Sequence, residues 1–350
     1  MSISTPHPTG NSPHAAIVVT TINPPTPAML VIAEGCIKHG IKFIVIGDEK
    51  SPKDFELEGA RYFSLSEQRE NDLTYAKECP TRHYARKNIG YLLAMADGVG
   101  VIIETDDDNA PMEGFWQPRS LVHNVATIEG RGWLNAYAYF TNILIWPRGL
   151  PLGSIHDKVP RFETLSLNTI ACPIQQGLAN GNPDVDAIYR LVLPLPIFFE
   201  KERSVALGKD TWCPFNSQNT TFFPDAYELM YLPYYCSFRM TDIWRSFVAQ
   251  IISHVNGWPV LFHEATVCQD RNDHDLMRDF EEEVSGYLNN RSIIQSLCAL
   301  HLVTGVDMIG QNMKMCYQRL VEMRLVGEDE LPLLDLWLAD VSSIRSRTFP

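Results

Sequence analysis

Positive charge is scarce in this 350-residue chain: 29 Lys and Arg stand against 42 Asp and Glu, a formal net charge of -13. With a pI near 5.2, nucleic acid and anionic membrane surfaces are excluded as general partners, because both would repel the chain. No CxxC pair occurs, and the eight cysteines (Cys36, Cys79, Cys172, Cys213, Cys236, Cys268, Cys298, Cys316) show no zinc-ligand spacing. They read as reduced, mostly buried small hydrophobes. No window approaches the roughly 20 apolar residues needed to cross a bilayer. Neither GxxxxGK(S/T) nor GxGxxG is present, which removes the P-loop and the Rossmann dinucleotide fingerprint as explanations for any nucleotide binding. The opening MSISTPHPTGNSPH lacks a basic start followed by an apolar run, so it does not read as a secretory signal. Residues 1–14 are expected to be a disordered leader, and the chain to be cytoplasmic with no membrane span.

What is present is ordinary globular material, 45% hydrophobic and 20% charged, ample for a large core. AAIVVTTI from Ala15 is a short β-branched run suited to a strand buried on both faces, and NPPTP ends it. The apolar spacing from Ala28 to His39 predicts a helix stopped by Gly40, and KFIVI a second strand ending at Gly47-Asp48. This β-loop-α-β unit implies a parallel sheet. RKNIGYLLAMADGVGVIIETDDDN repeats the logic, with a helix from about Arg82 to Ala96 and a strand from Val99 to Ile103. From about Glu113 to Asp225 the chain turns Pro-, Gly- and aromatic-rich, which predicts a mixed β region with long loops and strands at YAYFTNILIW and RLVLPLPIFF. Helical patterning returns at Thr241, expected to cap IWRSFVAQII, and dominates from Glu281 to Val326, with LPLLDLWLADV adding a short last helix.

Asp106, Asp107 and Asp108 follow the predicted strand Val99–Ile103, at the carboxyl edge where open α/β sheets bind ligands. Three adjacent carboxylates repel unless a cation or solvent compensates. Mg2+ or Mn2+ held by two of them, with a nucleotide diphosphate completing the shell, would do so; a solvated acidic turn is the alternative. An EF-hand is excluded, because DDDNAPMEGFWQ has Pro at its sixth position and Gln at its twelfth.

The chain resembles the STELLO-type glycosyltransferase domain from about Ala15 to Leu276. SPKDFELEGARYFSL, RKNIGYLLAMADG with ETDDDN, IWPRGLPL, GNPDVDAIYRL, PFNSQNTTFF and FRMTDIWRSFVAQ carry the resemblance in order. More remotely it is similar to the reversibly glycosylated polypeptides, the UDP-arabinopyranose mutases. Both are placed in the GT-A class, which implies a Rossmann-like mixed α/β sheet that binds a nucleotide sugar over residues 15–280. A C-terminal helical extension over 281–350 follows, whose helices either cover the acceptor cleft or form a homo-oligomer.

By this resemblance Asp106 and Asp108 are expected to hold the metal, as side-chain alternation allows, with Asp107 facing the ribose or sugar. His263, in VLFHEATV, stands as the third metal ligand or else as a core histidine. Thr20, Thr21, Asn23 and Asp48, at the ends of the first two strands, are expected on the nucleotide, with Arg86 and Lys87 near the diphosphate or base. Arg148 falls where the mutases carry a sugar-accepting arginine, and its always-charged fork suits contacts to diphosphate or sugar hydroxyls. Asn182, Asp184 and Asp186, on or beside a Gly-Asn-Pro turn, are expected on the sugar, with capping of that turn as the rival reading for Asp184. Asp242 is the expected general base. The reading is a metal-dependent transferase from a nucleoside diphosphate sugar, a UDP-sugar by family, to a glycan or other hydroxyl acceptor. A sugar-ring mutase and a non-catalytic scaffold are the alternatives.

Overall fold

In the computed structural model, residues 14–270 and 275–348 are described; the leader expected over 1–14 lies almost entirely outside them. The first half contains β1 (Ala15–Thr20), α1 (Pro27–His39), β2 (Lys42–Ile46), β3 (Arg61–Phe63), α2 (Leu65–Glu70), α3 (Thr74–Glu78), α4 (Lys87–Ala96), β4 (Val101–Thr105) and β5 (Asn109–Pro111). The expected β-α-β units are there, because each element carries its own start and stop signals. Thr26 Oγ1 accepts the Met29 amide at the start of α1, Pro27 occupies the first turn, and Gly40 closes the helix in the left-handed region at φ 66°.

β3, β2, β1 and β4 pair in that order, all parallel. Alternation along β1 splits its side chains between two cores. Ile17 and Val19 join Met29, Ile32 and Cys36 of α1 on one face, whereas Ala16 and Val18 join Ile89, Leu92 and Met95 of α4 on the other. The sheet is therefore covered on both sides, and the carboxyl ends of β1, β2 and β4 are left adjacent at one edge.

The remaining strands extend this sheet: β6 (Val122–Ile128), β8 (Ser166–Ala171), β9 (Ile174–Gly181), β10 (Ser204–Leu207), β12 (Asn219–Phe222) and β13 (Val260–Gln269), with β7 (Gly132–Trp133) and β11 (Thr211–Trp212) forming a separate pair. β12 lies antiparallel between β4 and β9, so the expected mixed α/β sheet is present. Two strand expectations fail. YAYFTNILIW forms a 3-10 turn at Ala136–Tyr139 followed by irregular chain. In RLVLPLPIFF, Arg190–Val192 complete the short helix α5 (Ala187–Val192), because Asp186 caps its start.

Longer helices follow in the second half: α6 (Thr241–Val255), α7 (Leu276–Cys298), α8 (Ile309–Glu322) and α9 (Glu330–Thr348). Thr241 is the first residue of α6 rather than its cap, and Met240 in the cap position offers no side-chain acceptor. The last helix is longer than the short one expected. Ile293, Met313, Tyr317 and Trp337 of these helices share the hydrophobic core of the α4 face. Among the described residues no helix is long and apolar enough to cross a membrane.

Asp340 binds α9 to the sheet domain. Its carboxylate accepts the amides of Thr74 and Tyr75, at 3.2 and 2.8 Å, and the Thr74 hydroxyl, so it caps α3 from 265 residues away. Asp340→Ala leaves three donors without their acceptor and is expected to cost about 1–3 kcal/mol, measured by urea unfolding.

Candidate active site

A cavity of about 450 Å3 opens at the carboxyl edge of the parallel strands. Thr20, Thr21 and Asn23 from the end of β1, Asp48 after β2, the three aspartates after β4, and Arg86, Arg148, Asp184 and Asp242 all line it. Eleven expected residues thus meet around one space, although they lie on segments far apart in the chain.

The triplet is splayed onto three different partners. Asp106 Oδ1 takes the Lys87 ammonium at 2.8 Å. Asp107 turns to the β1–α1 loop, where its carboxylate accepts the Thr21 hydroxyl and the Asn23 amide and its carbonyl accepts the Thr26 hydroxyl. Asp108 Oδ1 accepts the Gln269 side-chain amide at 2.9 Å. Partial burial raises the Asp106 carboxyl, whose side chain is still 38% exposed, and the Asp108 charge adds to this against the pull of Lys87. A divalent cation would relieve that repulsion. Asp106 and Asp108 offer hard oxygen donors of the kind Mg2+ and Mn2+ take, and the donor set fits such an ion if phosphate oxygens complete the shell. No group of three or more His, Cys, Asp or Glu side chains among the described residues forms a cation site.

Arg148, also in the lining, is held by two carboxylates. Its Nε and Nη2 grip Asp184 at 2.8 and 2.9 Å, Nη2 also reaches Asp242 at 2.9 Å, and Nη1 donates to the Arg239 carbonyl. Asp242 further accepts the Ser217 amide at 3.1 Å and the Tyr84 hydroxyl at 3.2 Å. Burial raises the Asp242 carboxyl, but the Arg148 charge and hydrogen bond outweigh it and hold the group at about 2. Asp242 is thus committed to Arg148, Ser217 and Tyr84, an arrangement that orients Arg148 and Asp184.

Four other expected residues stand differently from the expectation. Asp186 faces away from the cavity and caps α5, accepting the Tyr189 amide and the Trp146 indole N–H at 2.8 and 2.7 Å. Asn182 is outside the lining and braces it, its side chain on the Gln269 carbonyl and its carbonyl on Gln218. His263 lies in β13 beside Asn219 and Gly177, off the cavity, and burial with the nearby Arg119 charge keeps its imidazole neutral at about 3. It supplies no ligand to the triplet. Lys87 is buried, and its ammonium is committed to Asp106 and the Thr105 carbonyl.

Arg86 reaches the lining, but its guanidinium is bound to Gln68 and to the carbonyls of Cys79 and Pro80, so it supports the wall. Residues that sequence reasoning missed also line the cavity, among them Lys50, Tyr84, Ser217, Gln218, Phe238, Arg239 and Gln269. PFNSQNTTFF was legible as a matched block, and it is a buried polar segment whose Ser217 amide meets Asp242. Among the described residues, Lys50 is the lining cation that makes no hydrogen bond or ion pair.

The fold and the cavity define the class: an α/β protein with an acidic cavity at the carboxyl edge of its parallel strands. The family model for STELLO glycosyltransferases matches residues 239–350. The chain is 30% identical over 306 residues to Probable glycosyltransferase STELLO2 of Arabidopsis thaliana, and 28% identical over 283 residues to STELLO1 of the same plant. These alignments take in 81% and 75% of this chain but 39% and 36% of the relatives, so it spans under two fifths of their length. The chain is thus STELLO-type in sequence, and the likeness continues past Leu276 into the C-terminal helices, beyond the stretch the sequence blocks delimited. Glucosyl-3-phosphoglycerate synthase of M. tuberculosis has a TM-score of 0.39 and 10% identity, over 80% of this chain and 81% of its own.

The sign of the Asp242 shift sets a pH window. A carboxyl held at about 2 when folded and near 3.9 when unfolded contributes stability that is present above about pH 4. That stability is lost as the pH falls through about 2, because the unfolded chain binds the proton first. Urea unfolding between pH 5 and 2 is expected to show Asp242→Asn losing about 2 kcal/mol less than wild type over that window.

Proposed function

We propose that the protein is a metal-dependent glycosyltransferase that moves a sugar from a nucleoside diphosphate sugar, a UDP-sugar by family, to a hydroxyl acceptor. The observation that carries this reading is the splayed triplet. Asp106 and Asp108 remain at the cavity for a cation, whereas Asp107 is drawn to the β1–α1 loop by Thr21 and Asn23. The nucleoside end of the donor is assigned to Thr20, Thr21, Asn23 and Asp48. Asp106 and Asp108 would hold Mg2+ or Mn2+, which when bound neutralises charge on the departing diphosphate. Lys50 offers the uncommitted positive charge that a diphosphate requires, since the other cations of the lining are bound to protein groups.

Arg148 and Asp184 line the cavity and are assigned to the sugar, oriented by Asp242. Asp184 keeps acceptor capacity beyond its two bonds to Arg148, because each carboxylate oxygen takes two donors. The same network weighs against the mutase alternative: a guanidinium gripped by Asp184, Asp242 and the Arg239 carbonyl is poorly placed to accept a sugar covalently. Intact-mass analysis after incubation with UDP-sugars is expected to show no hexose or pentose adduct, and an adduct on Arg148 would establish the mutase reading instead.

The central test is calorimetric. Wild type is expected to bind UDP in the presence of Mn2+ and at least tenfold more weakly with the metal chelated. Asp106→Ala and Asp108→Ala should each remove the metal dependence, and Lys50→Ala should weaken UDP several-fold while leaving uridine unchanged. Metal-independent binding, or none, by the wild-type protein would refute the reading.

A further inference from the structure

Beneath the cavity lies an ion pair that the assignments above do not use. Glu104, on β4, and Arg245, on α6, are 0% and 1% exposed. Arg245 Nη1 donates to Glu104 Oε2 at 2.8 Å, and Nη2 lies 2.7 Å from Oε1. The Tyr91 hydroxyl donates to the same carboxylate. Arg245 Nη2 also donates to the Asn216 carbonyl at 3.0 Å, and its guanidinium lies 5.5 Å from the ring centroids of both Phe215 and Phe222.

The register of this pair is what gives it a role. Glu104 lies on β4 and Asp106 just past its end, and both side chains meet α4, Glu104 at Tyr91 and Asp106 at Lys87. Arg245 follows Asp242 by three, so the helix places both on one side. The Glu104–Arg245 pair thus joins the two elements that bring Asp106 and Asp242 to the lining. The carbonyl that Arg245 takes belongs to Asn216, and the next residue, Ser217, donates its amide to Asp242. One guanidinium thus ties together β4, whose end leads into Asp106, the loop that carries Ser217, and α6, which carries Asp242.

A buried ion pair gives little or no net stability compared with a well-packed apolar pair, because desolvation offsets the attraction. It does fix geometry, here through one Arg245–Glu104 hydrogen bond, a second close charge contact and the bond to the Asn216 carbonyl. We infer that Glu104 and Arg245 are positioning residues, the spacer that sets the distance between the diphosphate end and the sugar end of the site. This rests on the proposed donor orientation, with the triplet on the diphosphate and Arg148 on the sugar.

The test uses the full chain as Glu104→Gln, Arg245→Gln, their double variant and Arg245→Lys, assayed well below the melting temperature of each. In UDP-sugar hydrolysis, kcat should fall about 30- to 100-fold, as a misplacement of about 1 Å does, with KM within about threefold. The double variant should be about as slow as either single one, since both remove one spacer. Arg245→Lys, which keeps the charge but loses the fork, should also be slow, and it serves if a Gln variant does not fold. Crystals of wild type and variants in one form should show the Asp106–Asp242 separation altered by about 1 Å or more.

A kcat within twofold of wild type, multiplicative losses in the double variant, or an unchanged separation would overturn the inference. If the wild type neither hydrolyses a UDP-sugar nor binds UDP with Mn2+, it is the proposed function that fails, and the crystallographic separation still decides the role of the pair.

Discussion

Asp48, Asp106, Asp107, Asp108, Asp184 and Asp242 converge on one cavity, and like charges so crowded repel unless each meets a cation or a row of donors. Much of the surrounding structure answers that repulsion. Lys87 is buried under Asp106, Arg148 stands between Asp184 and Asp242, and hydroxyl and amide donors of the β1–α1 loop turn Asp107 aside. The compensation is uneven. Asp242 is over-stabilised and held near 2, whereas Asp106 is left raised with Asp108 beside it. Asp106 and Asp108 supply hard oxygen donors of the kind a divalent cation would take, and the settled charge at Asp242 is the part that holds shape.

That division separates two kinds of buried charge in the molecule. Arg148, Arg239 and Arg245 are each bound to carboxylates from other elements, Arg239 reaching Glu283 of α7 at 2.9 Å. Because Glu283 also accepts the Ala187 amide of α5, the C-terminal helices help to build the wall that carries Arg239. They belong to the same packed body as the sheet, as the shared core around Trp337 and Tyr317 also shows.

The fold was legible where local signals and burial agreed. β1, α1 and β2 follow from a β-branched run, a Thr-Pro start, a Gly stop and a second apolar run, because a strand between two helix layers must be apolar on both faces. It was illegible where tertiary context overrode pattern. YAYFTNILIW has the composition of a strand, yet Tyr137, Tyr139, Ile145 and Trp146 are buried without entering the sheet. β12 reads as polar, NTTF, yet all four residues are buried, since Asn219 and Thr220 bond to β9 and β13 groups inside the protein.

The candidate site divides in the same way. The sequence alone determined that an acidic triplet would sit at the carboxyl end of β4, because strand direction and the parallel βαβ rule fix that edge, and alternation let Asp107 differ from its neighbours. Ordered blocks also carried the STELLO resemblance. Only the tertiary structure decided which other residues share the cavity. Asp184 and Asp186 are two apart, yet Arg148 draws one into the lining while the first turn of α5 takes the other as its cap. His263 is lost to the interior of β13, and Arg245, one charged residue in an apolar run, becomes a link between strand and helix. Whether a carboxylate faces a cavity, caps a helix or pairs with an arginine depends on which donors arrive from distant segments, and spacing along the chain does not contain that information.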